Sequence, residues 1–328
     1  MSNNNLYLMP CCPLVKGYNA SCIYDLQRNN IYRFPNKYLS LFKVKDDNKM
    51  IGINESKDLN DSRFINDLKK SQLCVNDKNK NFRAIDTRRD YSHNIFGNCI
   101  IDRSEKSTFS LKKCAELLDN ALCEAITIRY FYPISLEKLT KDLVAFNNST
   151  VRSLEIHFKP KNDIQIEDLE KIKEQFGRVC KIFIHSQSVD KLILNGEDFA
   201  VQFSISSIEN NKQCGFTSEF NMNAQTQFYI ESKNHNNCLY RKIAFDQDGL
   251  IKNCPAMKES FGSIYDKNID LTKLLTNKNF TKFWNINKDK IDVCKDCEYR
   301  YACLDCRCFR MNEDIYSKPK KCKYNPYE

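Results

Sequence analysis

Alternating apolar and polar positions in the middle of the chain predict a succession of strands and helices. The pattern changes repeatedly between a period of two residues, typical of strands, and a period near 3.6 residues, typical of helices. Strands separated by helices in this way favour βαβ units and a parallel sheet, either a partial (β/α) barrel or an open doubly wound sheet. Strands are predicted at 126–132, 151–158, 179–185 and 199–205, and helices at 111–125, 135–146 and 166–176.

The two ends of the chain carry shorter patterns. Strands at 22–28 and 31–34 flank the turn signal Asn29-Asn30, and a short helix follows that ends near residue 42. A helix at 62–71 and a strand at 82–85 complete a small α+β unit. Near the other end, Asp248-Gly249 stands between two apolar segments and predicts a β-hairpin over 241–253.

The 328 residues therefore divide into three predicted domains of an α/β protein. Residues 1–85 form the small α+β unit, and residues 86–226 form the βαβ domain. Residues 227–328 form a cysteine-rich module that begins with the hairpin. We expect the βαβ domain to be a partial or degenerate (β/α) barrel.

Composition and charge argue against several classes of protein. The formal charge of +9 is diffuse, and no nucleic-acid-binding motif accompanies it. No apolar run approaches the roughly 18 residues of a membrane span, and the first residues lack the basic segment of a signal peptide. Eight isolated glycines leave no phosphate-binding loop. Seventeen cysteines, an odd number, indicate a reducing compartment, and we expect a cytoplasmic protein.

The cysteines near the C-terminus have metal-ligand spacing. The predicted hairpin brings Cys238 and Cys254 to the same end of a ribbon, because residues whose numbers sum to about 495 face each other. The tail adds two Cys-x-x-Cys pairs, and each pair can turn two sulfurs onto one metal. This spacing alone leaves zinc and iron open. The candidate ligands are Cys238, Cys254, Cys294, Cys297, Cys303, Cys306 and Cys322.

The order of these cysteines around Gly249 resembles the SPASM domain, which follows many radical-SAM enzymes and holds auxiliary [4Fe–4S] clusters. One departure is that two residues, instead of the usual three, separate the third and fourth cysteines of the central motif. The resemblance implies one or two clusters. One would be held by Cys294, Cys297, Cys303 and Cys322, and the other by Cys238, Cys254 and Cys306. Cys214, Cys308, His235 or a substrate group are the candidates for the open fourth position.

The radical-SAM motif itself is absent. That chemistry needs Cys-x-x-x-Cys-x-x-Cys, and no two cysteines in this chain are four residues apart. The Gly-Gly-Glu type segment that holds S-adenosylmethionine is missing too. We therefore expect no S-adenosylmethionine cleavage by this chain, and whether it is an enzyme stays open.

A closer resemblance touches both ends of the chain. Val15-Lys-Gly-Tyr, followed by Ile23-Tyr-Asp-Leu-Gln-Arg, looks like the start of the SPASM-bearing peptide maturase of the grasp-with-spasm system. The segments Ile251-Lys-Asn-Cys-Pro and 294–307 look like its C-terminal part. The resemblance implies a maturation accessory that binds a ribosomally made precursor peptide and acts with an ATP-grasp ligase. The alternatives are an iron–sulfur redox enzyme acting on the peptide itself and a zinc-stabilised peptide-binding protein.

The sequence gives less specific indications for three other groups of residues. The hairpin and helices of 1–85 could bind a leader peptide along an exposed edge strand. His157 and His185 lie in predicted strands and are interpreted as core or surface residues. Cys11 and Cys12 are adjacent in sequence, so they are expected to share a metal only with difficulty and are assigned to a loop or core.

Overall fold

A computed structural model describes residues 6–44, 50–76, 83–88, 94–196, 198–214 and 222–328. Its strands are β1 (Leu6–Leu8), β2 (Leu14–Lys16), β3 (Ala20–Asp25), β4 (Asn30–Pro35), β5 (Phe42–Val44), β6 (Ile51–Ile53), β7 (Cys74–Asn76), β8 (Phe96–Arg103), β9 (Cys123–Ile134), β10 (Ser153–Pro160), β11 (Val179–Ile184), β12 (Lys191–Asn195), β13 (Phe199–Phe203), β14 (Lys242–Phe245) and β15 (Ile251–Lys252). Its α-helices are α1 (Leu59–Lys70), α2 (Leu111–Asn120), α3 (Leu136–Leu143), α4 (Ile166–Gln175), α5 (Thr226–Asn234) and α6 (Lys278–Thr281). None of the described helices is long and apolar enough to cross a membrane.

The chain forms two compact units that interleave along the sequence. Unit one comprises Met1–Tyr91, Gly215–Cys238 and Asn285–Glu328, and unit two comprises Ser92–Cys214 and Leu239–Trp284. The chain therefore passes from unit one to unit two twice and returns to unit one each time. The C-terminal hairpin joins the sheet of unit two, and the three contiguous domains expected from the sequence stay a prediction.

Unit two is built on a mostly parallel sheet of eight strands. Their order is β12-β13-β11-β10-β9-β8-β14-β15, and only the two outermost pairs, β12 with β13 and β14 with β15, are antiparallel. Helices α2, α3 and α4 connect the consecutive parallel strands β8 to β11. The α/β fold class predicted from the sequence is thus confirmed.

Strand β10 illustrates why these segments form a sheet. Leu154, Ile156 and Phe158 are fully buried, whereas Glu155 and His157 between them are half-buried on the opposite face. This period of two residues is the signature of a strand with one apolar face.

The helices of unit two begin at hydroxyl caps. The side chains of Ser110 and Ser135 accept hydrogen bonds from backbone N–H groups in the first turns of α2 and α3. The helix predicted over 111–125 ends early, at Asn120, and residues 123–125 belong to β9 instead. Leu122, with φ of +46°, turns the chain between the two elements.

The C-terminal hairpin is confirmed as β14 and β15. Ala244 pairs with Lys252 and Phe245 with Ile251, close to the register that the sequence predicts. The Asp246 carboxylate accepts the N–H groups of Asp248 and Leu250, which closes the turn. Gly249 has φ of +77°, and a Cβ there would lie 2.7 Å from the Ile264 side chain, so this position requires glycine.

The N-terminal part of unit one contains two antiparallel sheets. One has the order β5-β6-β1-β7, and the other is the meander β2-β3-β4. The predicted hairpin is confirmed as β3 and β4, which turn at Asn29 with φ of +54°. Helix α1 packs Phe64 and Leu68 into the core, where Phe64 stacks on Tyr38 at 4.2 Å between ring centroids.

The strand predicted at 82–85 is not found. Phe82 lies outside the described residues, and residues 83–85 have no regular secondary structure.

The tail of unit one has almost no regular structure. Residues 285–328 are all described, and they hold two 3₁₀ turns, Lys288–Lys290 and Cys294–Asp296, and one isolated bridge between Arg310 and Pro319. The N-terminal meander packs directly against this tail, since the Tyr24 hydroxyl donates to Glu298 O at 2.7 Å. Helix α5 joins the same core through Tyr229, whose ring lies between those of Tyr24 and Tyr301.

Candidate metal centre

The predicted ligands are divided between the two units. All seventeen cysteines are described, and none forms a disulfide. Cys214 and Cys254 belong to unit two. Unit one contains the other candidates: His235, Cys238, Cys294, Cys297, Cys303, Cys306, Cys308 and Cys322.

Four of the tail cysteines influence one another electrostatically. Burial raises the pKa of Cys294 to about 12; Lys288 opposes that rise, and the charges of Cys303 and Cys322 add to it. Burial also raises the pKa of Cys297 to about 12, and Cys294 contributes to the rise. The 3₁₀ turn at Cys294 brings the first pair together, because Cys297 N–H donates to Cys294 O at 3.0 Å. These interactions involve the four cysteines that the resemblance assigns to one cluster, and the shared site stays a prediction.

A buried lysine stands beside these sulfurs. Lys288 Nζ donates to Cys303 Sγ at 2.7 Å and to Leu304 O at 3.2 Å, and the side chain is buried. Burial by itself would lower the pKa of Lys288, but the charges of Cys303, Cys294 and Asp305 outweigh it and hold the pKa above its usual value. A buried ammonium requires nearby negative charge, and the thiolates of a metal site supply it.

Two asparagines fix the backbone around Cys303. Asn237 Nδ2 donates to Cys303 O at 3.0 Å, and its Oδ1 accepts Asp305 N–H at 2.8 Å. Asn236 Nδ2 donates to the Asp305 carboxylate at 2.7 Å, while its Oδ1 accepts Cys238 N–H at 3.1 Å. Asp305 also pairs with the buried Arg307 at 2.6 Å. These contacts hold the Cys303–Cys306 segment against the segment that carries Cys238.

The N-terminal meander supports the other side of the site. Arg33 Nε donates to the Glu298 carboxylate at 2.8 Å, and the Tyr324 hydroxyl donates to the same oxygen at 2.6 Å. The second carboxylate oxygen of Glu298 has no hydrogen-bond partner among the described residues. Because Glu298 follows Cys297 directly, these contacts set the position of a candidate ligand from strands more than 260 residues away in sequence.

The remaining candidates have other contacts in the structure. His235 Nδ1 lies 3.2 Å from Asn285 Oδ1. In unit two, Cys214 Sγ donates to Asn211 O at 3.3 Å, and the Arg129 guanidinium hydrogen-bonds to the same sulfur. Asn211 Nδ2 also donates to Pro255 O at 3.0 Å, which joins the loop of Cys214 to the residue after Cys254. The predicted site of Cys238, Cys254 and Cys306 stays a prediction.

One compact ligand group was not recognised in the sequence. The ligand atoms of Cys11, Cys12 and Asp25 all lie within 4.8 Å of one another. Adjacency of the two cysteines had argued against a shared metal, but their sulfurs are 4.0 Å apart and face the same carboxylate. A chain with seventeen cysteines and such a group is compatible with metal binding.

Comparison of the chain with protein-family models, with curated proteins and with solved structures finds no match.

Proposed function

We propose that this chain is an iron–sulfur accessory protein of peptide maturation, which binds a precursor peptide and acts with an ATP-grasp ligase. The observation that carries the proposal is the group of four tail cysteines with the buried ammonium of Lys288 at Cys303. Four thiolates around a cluster bear a net negative charge, and Lys288 offsets part of it. The role in peptide maturation rests on the resemblance of both chain ends to that family.

The spacing of the sulfurs favours a cluster over one zinc ion. A tetrahedral zinc site with Zn–S distances near 2.3 Å holds its sulfurs about 3.8 Å apart. Within the described part of unit one, no three of the tail sulfurs lie within 4.8 Å of one another. A [4Fe–4S] cluster places iron and sulfide between its cysteines and so separates them further. When bound, such a cluster would supply electron transfer or structural support.

The sheet of unit two combines features of a barrel and of an open sheet. Strands β8, β9, β10 and β11 lie side by side in chain order, and the later parallel strand β14 pairs with β8 on its other side. In (β/α) barrels each strand is added next to the previous one, whereas the return of the chain to β14 is the order reversal of an open doubly wound sheet. The proposal of a degenerate radical-SAM-like barrel therefore rests on the family resemblance, and the missing cysteine motif argues that it no longer cleaves S-adenosylmethionine.

The four-stranded sheet of unit one offers a place for the precursor. Strand β5 is an edge of the described sheet, and Lys43 in it is exposed. The edge of a sheet can bind an extended peptide through backbone hydrogen bonds. By contrast, the Lys16 carbonyl on the edge strand β2 accepts a hydrogen bond from Arg300, so that edge is already in use.

Photo-crosslinking tests precursor binding. A photoreactive amino acid replaces Lys43 in the full chain, and the same replacement at Lys69, exposed on α1, is the control. The proposal predicts covalent capture of the candidate precursor at position 43 and little at position 69. Equal capture at both positions, or capture of a scrambled peptide at position 43, would overturn the assignment to this edge.

The ligase reaction tests the role. Crosslinks formed in the precursor by the ATP-grasp ligase are counted by mass spectrometry with and without this chain. We expect the chain to raise their yield and the C294S/C297S variant to fail to do so. Crosslinking that is independent of the chain would reject the accessory role.

One observation favours the alternative, an iron–sulfur redox enzyme acting on the peptide itself. Near the carboxyl ends of the parallel strands, one face of unit two carries a buried Asp102–Arg129 ion pair at 2.7 Å. Beside it, His157 lies between Glu155, at 2.8 Å, and His185, at 3.1 Å. Carboxyl ends of such strands are the usual place for chemistry in α/β enzymes. A peptide modified by this chain and a reductant, without ligase, would favour this alternative.

A further inference from the structure

The turn between β1 and β2 presents two adjacent cysteines in a fixed geometry. Pro10 and Pro13 flank Cys11 and Cys12, and each proline fixes one backbone torsion. Cys12 N–H donates to Met9 O at 2.8 Å, and this bond closes the turn. The turn is thus ordered without help from its side chains.

Strand β3 ends beside this turn. Leu26 N–H donates to Cys11 O, and Tyr24 N–H donates to Pro13 O, both at 3.0 Å. These two bonds bring Asp25 opposite the cysteine pair. Cys12 is buried in the apolar core of the N-terminal sheets, whereas Cys11 is half-buried and accessible from solvent.

The distances suit one tetrahedral ion. The two sulfurs are 4.0 Å apart, and a zinc site with Zn–S near 2.3 Å requires about 3.8 Å. The carboxylate of Asp25 lies within 4.8 Å of both sulfurs. Gln27 Oε1, 3.9 Å from Cys11 Sγ, or a water molecule can complete the fourth position.

The contacts of Asp25 leave room for a metal. Its Oδ1 accepts the N–H groups of Gln27 and Arg28, and its Oδ2 accepts from the Arg28 guanidinium at 2.8 Å. These are three of about four lone-pair directions that a carboxylate offers. The remaining direction is available, and the three contacts hold the carboxylate as the outer partners of metal ligands commonly do.

The charges also balance. Two thiolates and one carboxylate around a divalent cation leave one negative charge, and the Arg28 guanidinium neutralises it.

We propose that Cys11, Cys12 and Asp25 bind one zinc ion, which fastens the β1–β2 turn to the end of β3. The ion is structural, and it is separate from the metal of the tail cysteines. The site is independent of the proposed function, since a peptide-binding protein of any kind could contain it.

Zinc content of three full-length proteins tests the site. The wild type, the C11S/C12S variant and the C74S variant are equilibrated with zinc and freed of excess, and zinc, iron and sulfide are measured per chain. C74S is the matched control, because Cys74 is a half-buried cysteine of the same unit outside the group. We expect C11S/C12S to hold one zinc fewer than the wild type and C74S, with the same iron and sulfide. Equal zinc in all three proteins would overturn the proposal.

The variant D25N provides a second test in case the double variant C11S/C12S does not fold. Asparagine keeps one carbonyl oxygen for the turn but removes the charge that a zinc ligand needs. Cobalt replaces zinc as the probe, since tetrahedral cobalt with thiolate ligands absorbs visible light. We expect D25N, purified without oxygen so that the tail keeps its metal, to retain its far-ultraviolet circular dichroism and to bind cobalt at least tenfold more weakly than the wild type. Affinity equal to that of the parent protein would show that Asp25 is no ligand and would overturn the site as proposed.

Discussion

The tail of unit one and the sheet of unit two are stabilised in different ways. In unit two, parallel strands hydrogen-bond in register, and fully buried side chains such as Ile156 and Phe158 cover one face. The tail at 285–328 has only short turns and one bridge, yet it buries Lys288, Glu298 and Arg307. Apolar burial and backbone ladders can hold a sheet by themselves. A segment without a ladder of strands, and with buried charges, requires a further source of stability, and metal ligation by the four cysteines is the one we propose.

Removal of the tail metal gives the largest expected effect. Structural metal sites contribute on the order of 10 kcal/mol to folding, so the tail should unfold when the C294S/C297S variant cannot bind the metal. Hydrogen exchange followed by mass spectrometry would show fast exchange over 285–328 and unchanged protection of β8 to β11. The C74S variant is the control. Full protection of the tail in C294S/C297S would contradict the claim that the tail, unlike the sheet, depends on bound metal for its stability.

Truncation of the core tests the opposite region. Phe158 is fully buried in the sheet of unit two, and Phe158→Ala should lower the free energy of unfolding of that unit by about 3–5 kcal/mol. Urea unfolding followed by circular dichroism measures it, and Phe158→Leu is the milder control. Metal content of the tail should stay unchanged. Loss of the tail metal together with the sheet would mean that the two regions do not depend on separate forces.

Replacement of Lys288 tests the charge balance in the tail. Lys288→Met removes the donor to Cys303 Sγ, an interaction of the charged kind that contributes about 1.5–3 kcal/mol. A cluster that loses this positive neighbour is harder to reduce, so its midpoint potential should become more negative in a redox titration. The control is Lys290→Met, because Lys290 is exposed and donates to the carbonyl of Asn285 rather than to a cysteine. Identical potentials in both variants would contradict a role for Lys288 at the cluster.

His185 should make unit two sensitive to acid. Burial, with a smaller contribution from the charge of His157, lowers the pKa of His185 to about 4. The unfolded chain therefore binds more protons than the folded one between about pH 6.5 and pH 4, so stability is complete above pH 6.5 and falls as the pH drops. After allowance for solvent screening, we expect a loss of about 1–2 kcal/mol.

Urea unfolding of the wild type and of His185→Asn at pH 7 and pH 4.5 measures this loss. The variant should lose less stability than the wild type on acidification. A steeper acid loss in His185→Asn would contradict the assignment.

Much of the sheet could be predicted because its signals are local. Strand β10 shows a period of two residues, and α3 begins at a serine cap. Strand β8 was missed because Gly97 and Asn98 interrupt its apolar pattern and because it ends in Asp102 and Arg103. Asp102 is buried only because Arg129, 27 residues later, pairs with it. A pattern within one segment does not contain that partner.

The candidate metal site also contains some residues that the sequence identifies and others that only the fold reveals. The spacing of Cys294, Cys297 and Cys303 identifies them as ligand candidates, since the chemistry lies in the residue type itself. Lys288 and Asn237 are residues of common types without a motif, so only the fold brings them to Cys303. Cys11 and Cys12 illustrate the reverse case. Their adjacency in sequence argued against a shared ion, and the turn between two prolines overcomes it.

The most direct test of the account measures iron, sulfide and zinc in the wild type and in C294S/C297S, both purified without oxygen. We expect a coloured wild type with equal iron and sulfide, at about four or eight of each per chain, and a C294S/C297S variant that has lost about four of each. A colourless wild type without sulfide, whose zinc falls in C294S/C297S, would contradict it.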